Sequence, residues 1–361
     1  MSASPAEAGA ALGEPPPRPR VTWRWWALRI VPGLVALVVG VRVLASRRDE
    51  LSGAASALGH VHVAWLGAAA LAECASLGAY AGLQRRLLTA GGVTMGAAPI
   101  AGITLAGYAI QNSLPAGPAW SAVFAFREFR RRGIDAVLAG WTMVVAAVLS
   151  DVSLAVLGVA GVILAQRQAA GLDIVEVVGG AAAVIALAVV GVHRGVTTKR
   201  GLAFSARVLH WWQRVARRPA GDARAIVDEA ARRLRTVQPR RSDWASASAF
   251  ALANWLFDCA CLALAFGAVG AAVPWRGLLL AYGAGQLAAN LPVTPGGLGV
   301  VEGSLSIALV LYGGAQASTV AAVLLYRILS FWAVLPLGWG SWGALRWVGR
   351  RATPVVPEVA A

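Results

Sequence analysis

Asn290-Leu291-Pro292-Val293-Thr294-Pro295-Gly296-Gly297-Leu298-Gly299 interrupts an apolar run that extends from Gly277 to Tyr312. One helix crosses the hydrocarbon core in about 20 residues, so the run is too long for a single span and, once broken, too short for two. Proline removes a backbone donor and fixes φ, and glycine removes the side chain, so the helix stops here. Backbone that leaves the helix at membrane depth needs protein or a water-filled cavity to satisfy its polar groups. The stretch therefore reads as the tip of a helical hairpin that enters and leaves the membrane on one side.

A second run, Val93–Phe126, breaks in the same way at Asn112-Ser113-Leu114-Pro115-Ala116-Gly117. Matched interruptions in two halves of a membrane protein point to a transport site. Asn112, Pro115, Gly117, Asn290, Pro292, Pro295, Gly296, Gly297 and Gly299 are accordingly candidate substrate-binding positions. Helix capping by Asn112 and Asn290 is the plainer role for those two.

The rest of the chain suits a membrane. Hydrophobic residues make up 58% of the 361, charged residues 14%, and the mean hydropathy is +0.65. Soluble domains carry about 25% charged residues. Six further apolar runs, at about Trp26–Leu44, Val61–Leu83, Ile134–Leu164, Ile174–Val192, Trp244–Gly270 and Ala317–Val348, read as full spans. The expected fold is an all-α polytopic membrane bundle of six spans and two re-entrant hairpins. Residues 1–25 form a disordered tail, 26–348 the membrane domain with halves at 61–193 and 244–348, 194–243 a cytoplasmic linker, and 349–361 a second tail. Val43-Leu44-Ala45 resembles a cleavage site, but the long basic region before the first span favours a retained signal anchor.

The formal net charge of +15 lies between the spans rather than within them. Lys199–Arg241, Arg85/Arg86 and Arg130–Arg132 mark cytoplasmic segments, and both termini join them on that side of a bacterial inner membrane. With the uncharged Gly313-Gly314 loop outside, the first hairpin opens inward and the second outward, so the halves are inverted. The flanks repeat weakly: Glu73-Cys74 and Asp258-Cys259 precede the two breaks, while Asp151 and Arg327 follow them. Within the linker, Phe204, Val208, Trp211, Trp212 and Val215 recur at helical spacing and predict amphipathic helices on the membrane surface. A nucleic-acid partner would need a soluble basic domain, for which no sequence is left.

Ionisable residues inside spans are costly and are functional candidates by default. Glu73, Asp151 and Asp258 are candidates for intramembrane charge or proton coupling, and Glu302 is a candidate for substrate binding as well as proton coupling. Arg327 could clamp an anionic headgroup, or it could simply neutralise Asp151 or Glu302. Arg127 could guard the entrance, although a solvated pair with Glu128 is the simpler reading. Cys74, Cys259 and Cys261 lie in apolar runs and read as small core residues rather than disulfide partners. His60 and His62 read as loop residues. No metal, cofactor, nucleophile motif or nucleotide-binding loop is expected.

At Asn290–Gly303, at Leu325-Tyr326-Arg327-Ile328-Leu329-Ser330-Phe331-Trp332, and at Asn112–Gly117 followed by Phe126-Arg127-Glu128, the chain resembles the lysylphosphatidylglycerol synthase transmembrane-region family. The likeness covers roughly Trp26 to Val348. It implies the flippase-like membrane part of that family without the soluble synthase domain, and so a carrier rather than an enzyme. The implied partner is a membrane phospholipid or a polyprenyl-linked lipid, and assembly of identical copies is left open. A membrane-embedded transferase acting on lipid phosphate and a non-transporting scaffold are the alternatives.

Overall fold

The computed structural model describes residues 61–114, 117–165, 232, 239–289 and 295–351. The expected first span at 26–44, the run at 174–192, nearly all of the linker, and Pro115, Asn290 and Pro292 lie outside these residues. Among the described residues every regular element is helical. They are α1 (Val63–Ala90), α2 (Ala97–Ser113), α3 (Gly117–Arg131), α4 (Ala136–Ala165), α5 (Arg241–Ala268), α6 (Trp275–Ala289), α7 (Val300–Leu311), α8 (Gln316–Arg327) and α9 (Val334–Arg351). Four stretches among the described residues are long and apolar enough to cross a membrane: α1, α4, α5 and the continuous run Gln316–Val348. The protein is thus an all-α, multi-pass membrane protein.

Helices α1 and α5 pack antiparallel along their whole length. At one end the His62 N–H donates to the Ala268 carbonyl at 2.9 Å. In the middle Asn254 Nδ2 donates to the Ser76 carbonyl at 3.0 Å and to its Oγ at 2.9 Å. At the other end Arg86 pairs with Asp243 at 2.8 Å and bonds Ser246 Oγ at 2.8 Å. Lipid offers no hydrophobic drive between helices, so small residues and polar contacts must hold them together. Ala69, Ala72, Ala247 and Ala251 supply the small buried surfaces. The apolar run of α1 ends near Leu83, yet the helix continues to Ala90. Arg85 and Arg86 extend it past the hydrocarbon, and Asp243 receives Arg86.

Each broken run folds back on itself, so α2 packs on α3 and α6 on α7. The first turn begins at Leu114, whose N–H bonds the Ile110 carbonyl at 3.2 Å before the backbone becomes extended. Gly117 must lack a side chain, because a Cβ there would collide with the Gln111 carbonyl. In the second hairpin a short 3-10 turn at Pro295–Gly297 precedes α7, and Gly296 has φ +59°. A Cβ on Gly296 would strike the Phe331 ring and lie 3.2 Å from the Asn112 carbonyl oxygen. The tip of one hairpin therefore rests against the end of the other's first helix.

Between α8 and α9 the chain makes one π-helical turn, Ile328–Trp332, in which the Ala333 N–H reaches the Ile328 carbonyl at 2.8 Å. Pro336 follows and has no N–H to give to the Trp332 carbonyl, so an ordinary helix would leave that acceptor open. Such turns put an extra residue into a helix and recur at functional sites. Two apolar clusters support the hairpins. Leu262, Phe266, Leu305 and Leu309 pack beneath the second, and Ile100, Ile103, Phe129 and Leu138 beneath the first.

Candidate functional site

A cavity of about 800 Å³ opens between the two hairpin tips. Its wall takes Glu73, Ser76 and Tyr80 from α1, Tyr108, Gln111 and Asn112 from α2, and Ser121 from α3. Asp151 comes from α4, Asn254 and Asp258 from α5, Gln286 from α6, and Gly296 from the second tip. Tyr326, Arg327 and Ser330 close it from α8 and the π turn. Residues from three of the four half-helices around the breaks, α2, α3 and α6, thus meet polar side chains of α1, α4, α5 and α8 in one space, while α7 contributes no lining residue.

Arg327 is held on three sides. Its Nε donates to Glu302 Oε1 at 2.6 Å, a terminal nitrogen donates to the Gly296 carbonyl at 2.9 Å, and the guanidinium lies 4.6 Å from the centre of the Phe331 ring. Glu302 also accepts the Gly299 N–H at 2.7 Å through its other oxygen. One carboxylate therefore caps the start of α7, where the helix dipole favours negative charge, and neutralises the cation beside it. Of the two partners open to Arg327, the fold selects Glu302 and not Asp151. The guanidinium still forms part of the cavity wall.

Asp258 is the most heavily solvated carboxylate of the site, and protein groups do the solvating. Its Oδ2 accepts Tyr282 OH at 2.5 Å, Tyr326 OH at 3.1 Å and Gln286 Nε2 at 3.1 Å. The Gln286 amide also donates to Tyr326 OH at 3.1 Å, which ties α6 to α8. Glu73 is the eleventh residue of α1, and Asp258 is the eleventh from the end of α5. The antiparallel packing brings the two level, and both line the cavity. Trp255 Nε1 donates to the Ser150 carbonyl at 2.8 Å and fixes α5 against α4 next to Asp151.

The sequence-derived candidates divide accordingly. Glu73, Asn112, Gly117, Asp151, Asp258, Gly296 and Arg327 line the cavity. Glu302 stands behind Arg327, and Gly297 and Gly299 shape the second tip with φ of +69° and +81°. Pro295 begins the 3-10 turn. Arg127 is exposed and lies outside the cavity wall. Its expected pairing with Glu128 is not the one formed. Glu128 is buried and binds Arg131 at 2.9 Å and Arg132 at 2.6 Å. Side chains three and four apart share a helix face, whereas adjacent ones diverge.

Several lining residues were not singled out from the sequence: Ser76, Tyr80, Tyr108, Gln111, Asn254, Gln286 and Tyr326. A signal for them existed. Glu73, Ser76, Tyr80 and Gln84 follow one another at helical intervals on α1, Asn254 and Asp258 do so on α5, and Tyr282 and Gln286 on α6. Polar stripes of this kind in otherwise apolar helices face a polar interior. All three cysteines are free, with Cys259 and Cys261 buried.

The model of the family described as lysylphosphatidylglycerol synthase TM region matches residues 25–338. A protein of Methanothermobacter thermautotrophicus named UPF0104 membrane protein is 35% identical over 89 residues. That match covers 24% of this chain and 26% of the relative, so the chain spans about a quarter of the relative's length.

Proposed function

Because the chain belongs to the lysylphosphatidylglycerol synthase TM region family, we propose that it carries a lipid or lipid-linked substrate across the membrane without altering it. The observation that supports this reading is the cavity at which both hairpin tips meet, with Arg327 in its wall. A headgroup in that space would be screened from hydrocarbon while its tails stayed in the bilayer. An anionic headgroup would compete with Glu302 for Arg327 and take hydrogen bonds from Asn112, Gln111 and Ser121. Broken helices at the midplane of inverted halves, rocking against one another, would alternate access to the two leaflets. The antiparallel course of α1 and α5 is the relation that inverted halves require. The membrane is a bacterial inner membrane on this reading, both termini are cytoplasmic, and the partner is a phospholipid or polyprenyl-linked lipid.

A headgroup bearing an ammonium group beside its phosphate is the second reading, favoured by Asp151 and Asp258 in the same wall as Arg327. Lysylphosphatidylglycerol, the lipid in the family's name, has that chemistry. Both readings are tested in phosphatidylcholine vesicles containing the purified protein and fluorescent phosphatidylglycerol, with the outer leaflet quenched. Wild type should speed transbilayer exchange, and Arg327→Ala with Asn112→Ala should abolish the gain. Equal rates with wild type and the double variant would remove the site assignment. Product analysis of the same vesicles tests the transferase alternative, since a carrier returns the probe unchanged.

A further inference from the structure

We propose that Glu73 and Asp258 hold one proton between them, as a carboxylic acid paired with a carboxylate, and that this pair binds and releases the proton coupled to movement of the cavity's cargo. The coupling rests on the proposed translocation, whereas the pair itself does not.

Glu73 is more than nine-tenths buried, and its Oε2 has no hydrogen-bond donor. Asp258 Oδ1 is likewise buried without a donor. The two residues stand level on antiparallel α1 and α5, one turn from the Ser76–Asn254 contact, and line the same cavity. Two ionised carboxylates accept only, so they cannot satisfy each other and they repel strongly out of water. A single proton removes both problems: it supplies the missing donor and leaves one charge instead of two. Buried polar atoms of native proteins are nearly always partnered, which is why two orphans side by side point to an occupant of the gap.

The geometry also assigns the proton. Three donors already solvate Asp258 through Oδ2, from Tyr282, Tyr326 and Gln286. That environment suits the ion, so Glu73 is the acid and donates to Asp258 Oδ1. Among the charged groups facing the pair, Arg327 on α8 acts on Asp258, and Asp151 on α4 shares the cavity wall. The phenols of Tyr282 on α6 and Tyr326 on α8 donate to Asp258, Tyr80 on α1 and Tyr108 on α2 line the same wall, and the buried thiols of Cys259 and Cys261 follow Asp258 on α5. Both residues line the cavity although the two facing oxygens are themselves buried, so the proton has only a short way to travel to the cavity. Its loss would add a negative charge next to Asp258 and draw Arg327 away from the second hairpin tip.

Infrared spectroscopy of the full-length protein tests the pair without reference to transport. A carboxylic acid C=O band should be present at neutral pH and should shift in heavy water. Glu73→Gln, which keeps shape and donates permanently, should remove it, and Asp258→Asn should shift it by changing its acceptor. Replacing choline chloride with sodium chloride should leave the band alone. Absence of the band from wild type at neutral pH would overturn the proposal whether or not any variant folds. So would its persistence in folded Glu73→Gln, or its loss on adding sodium, which would make the pair a sodium site. In the phosphatidylcholine vesicles, an imposed pH difference should change the exchange rate of fluorescent phosphatidylglycerol for wild type but not for Glu73→Gln. A wild-type rate indifferent to the pH difference would overturn the coupling. Absence of all exchange would instead count against translocation, and the infrared result would still decide the pair.

Discussion

The ion pair between Arg327 and Glu302 permits a quantitative test of how the second hairpin is held. Their side chains are 10% and 20% exposed. Removing one partner of a fully buried pair costs about 3–5 kcal/mol, while an exposed pair contributes about 0–1 kcal/mol. This pair is close to the buried limit, which sets each single substitution at about 2–3 kcal/mol. Glu302→Gln keeps an acceptor for the Gly299 N–H, so it isolates the charge from the cap. Arg327→Met leaves an uncompensated carboxylate and takes the donor from the Gly296 carbonyl. The double variant loses the same pair but strands no charge, so its total cost should be only about 2 kcal/mol, and the coupling energy about 2–4 kcal/mol. Reversible unfolding in mixed micelles with increasing dodecyl sulfate, followed by tryptophan fluorescence, measures all four corners of the cycle. Additive effects, with each single change within about 0.5 kcal/mol of wild type, would refute the claim that this pair anchors the tip.

Other expectations follow from the same contacts. Tyr282→Phe removes the shortest bond to Asp258 and should cost about 1.5–3 kcal/mol in the same unfolding assay, more than Tyr326→Phe, whose bond is longer. Asn254→Ala breaks two buried bonds to Ser76 between α1 and α5 and should lower stability by about 1–3 kcal/mol, whereas Arg86→Ala at the exposed end should cost less than about 1 kcal/mol. Gly296→Ala and Gly117→Ala each place a Cβ against occupied space, so both should reduce the yield of monodisperse protein in gel filtration. Gly92→Ala, with open space around its Cβ, should lower it less despite a φ of +85°. Thiol labelling from each side of intact cells should reach Arg130→Cys, at the base of the first hairpin, and Ala315→Cys, beyond the base of the second, from opposite faces, and labelling of both from one face would remove the inverted topology.

The breaks themselves were legible because proline and glycine act locally. The runs 112–117 and 290–299 stop a helix wherever they occur, and the structure ends α2 at Ser113 and α6 at Ala289. Membrane character was equally plain from composition. What the sequence could not supply was register. Glu73 and Asp258 stand out singly as charges in apolar runs, but their meeting depends on the antiparallel offset set by His62, Ser76 and Arg86 against Ala268, Asn254 and Asp243. The choice of Glu302 over Asp151 for Arg327 is of the same kind, because spacing along the chain gives no distance across a bundle. The Arg127–Glu128 pairing failed for a local reason: neighbours on a helix point about 100° apart, and the Glu128 face belongs to Arg131 and Arg132. The last span reads from the sequence as one plain helix, whereas in the structure a π turn whose Phe331 packs on Gly296 interrupts it and presents Arg327 and Ser330 to the cavity.

The central claim is that cargo passes through the cavity between the hairpin tips, and a reversible plug tests it most directly. Ser121 lines that cavity on α3, and Cys74 is the exposed native cysteine. In a Cys74→Ser background, Ser121→Cys can be labelled with a bulky, reducible thiol reagent in vesicles containing fluorescent phosphatidylglycerol. Labelling should slow lipid exchange by at least about tenfold relative to the same preparation unlabelled, and reduction should restore it. Unchanged exchange after complete labelling would contradict passage through this cavity.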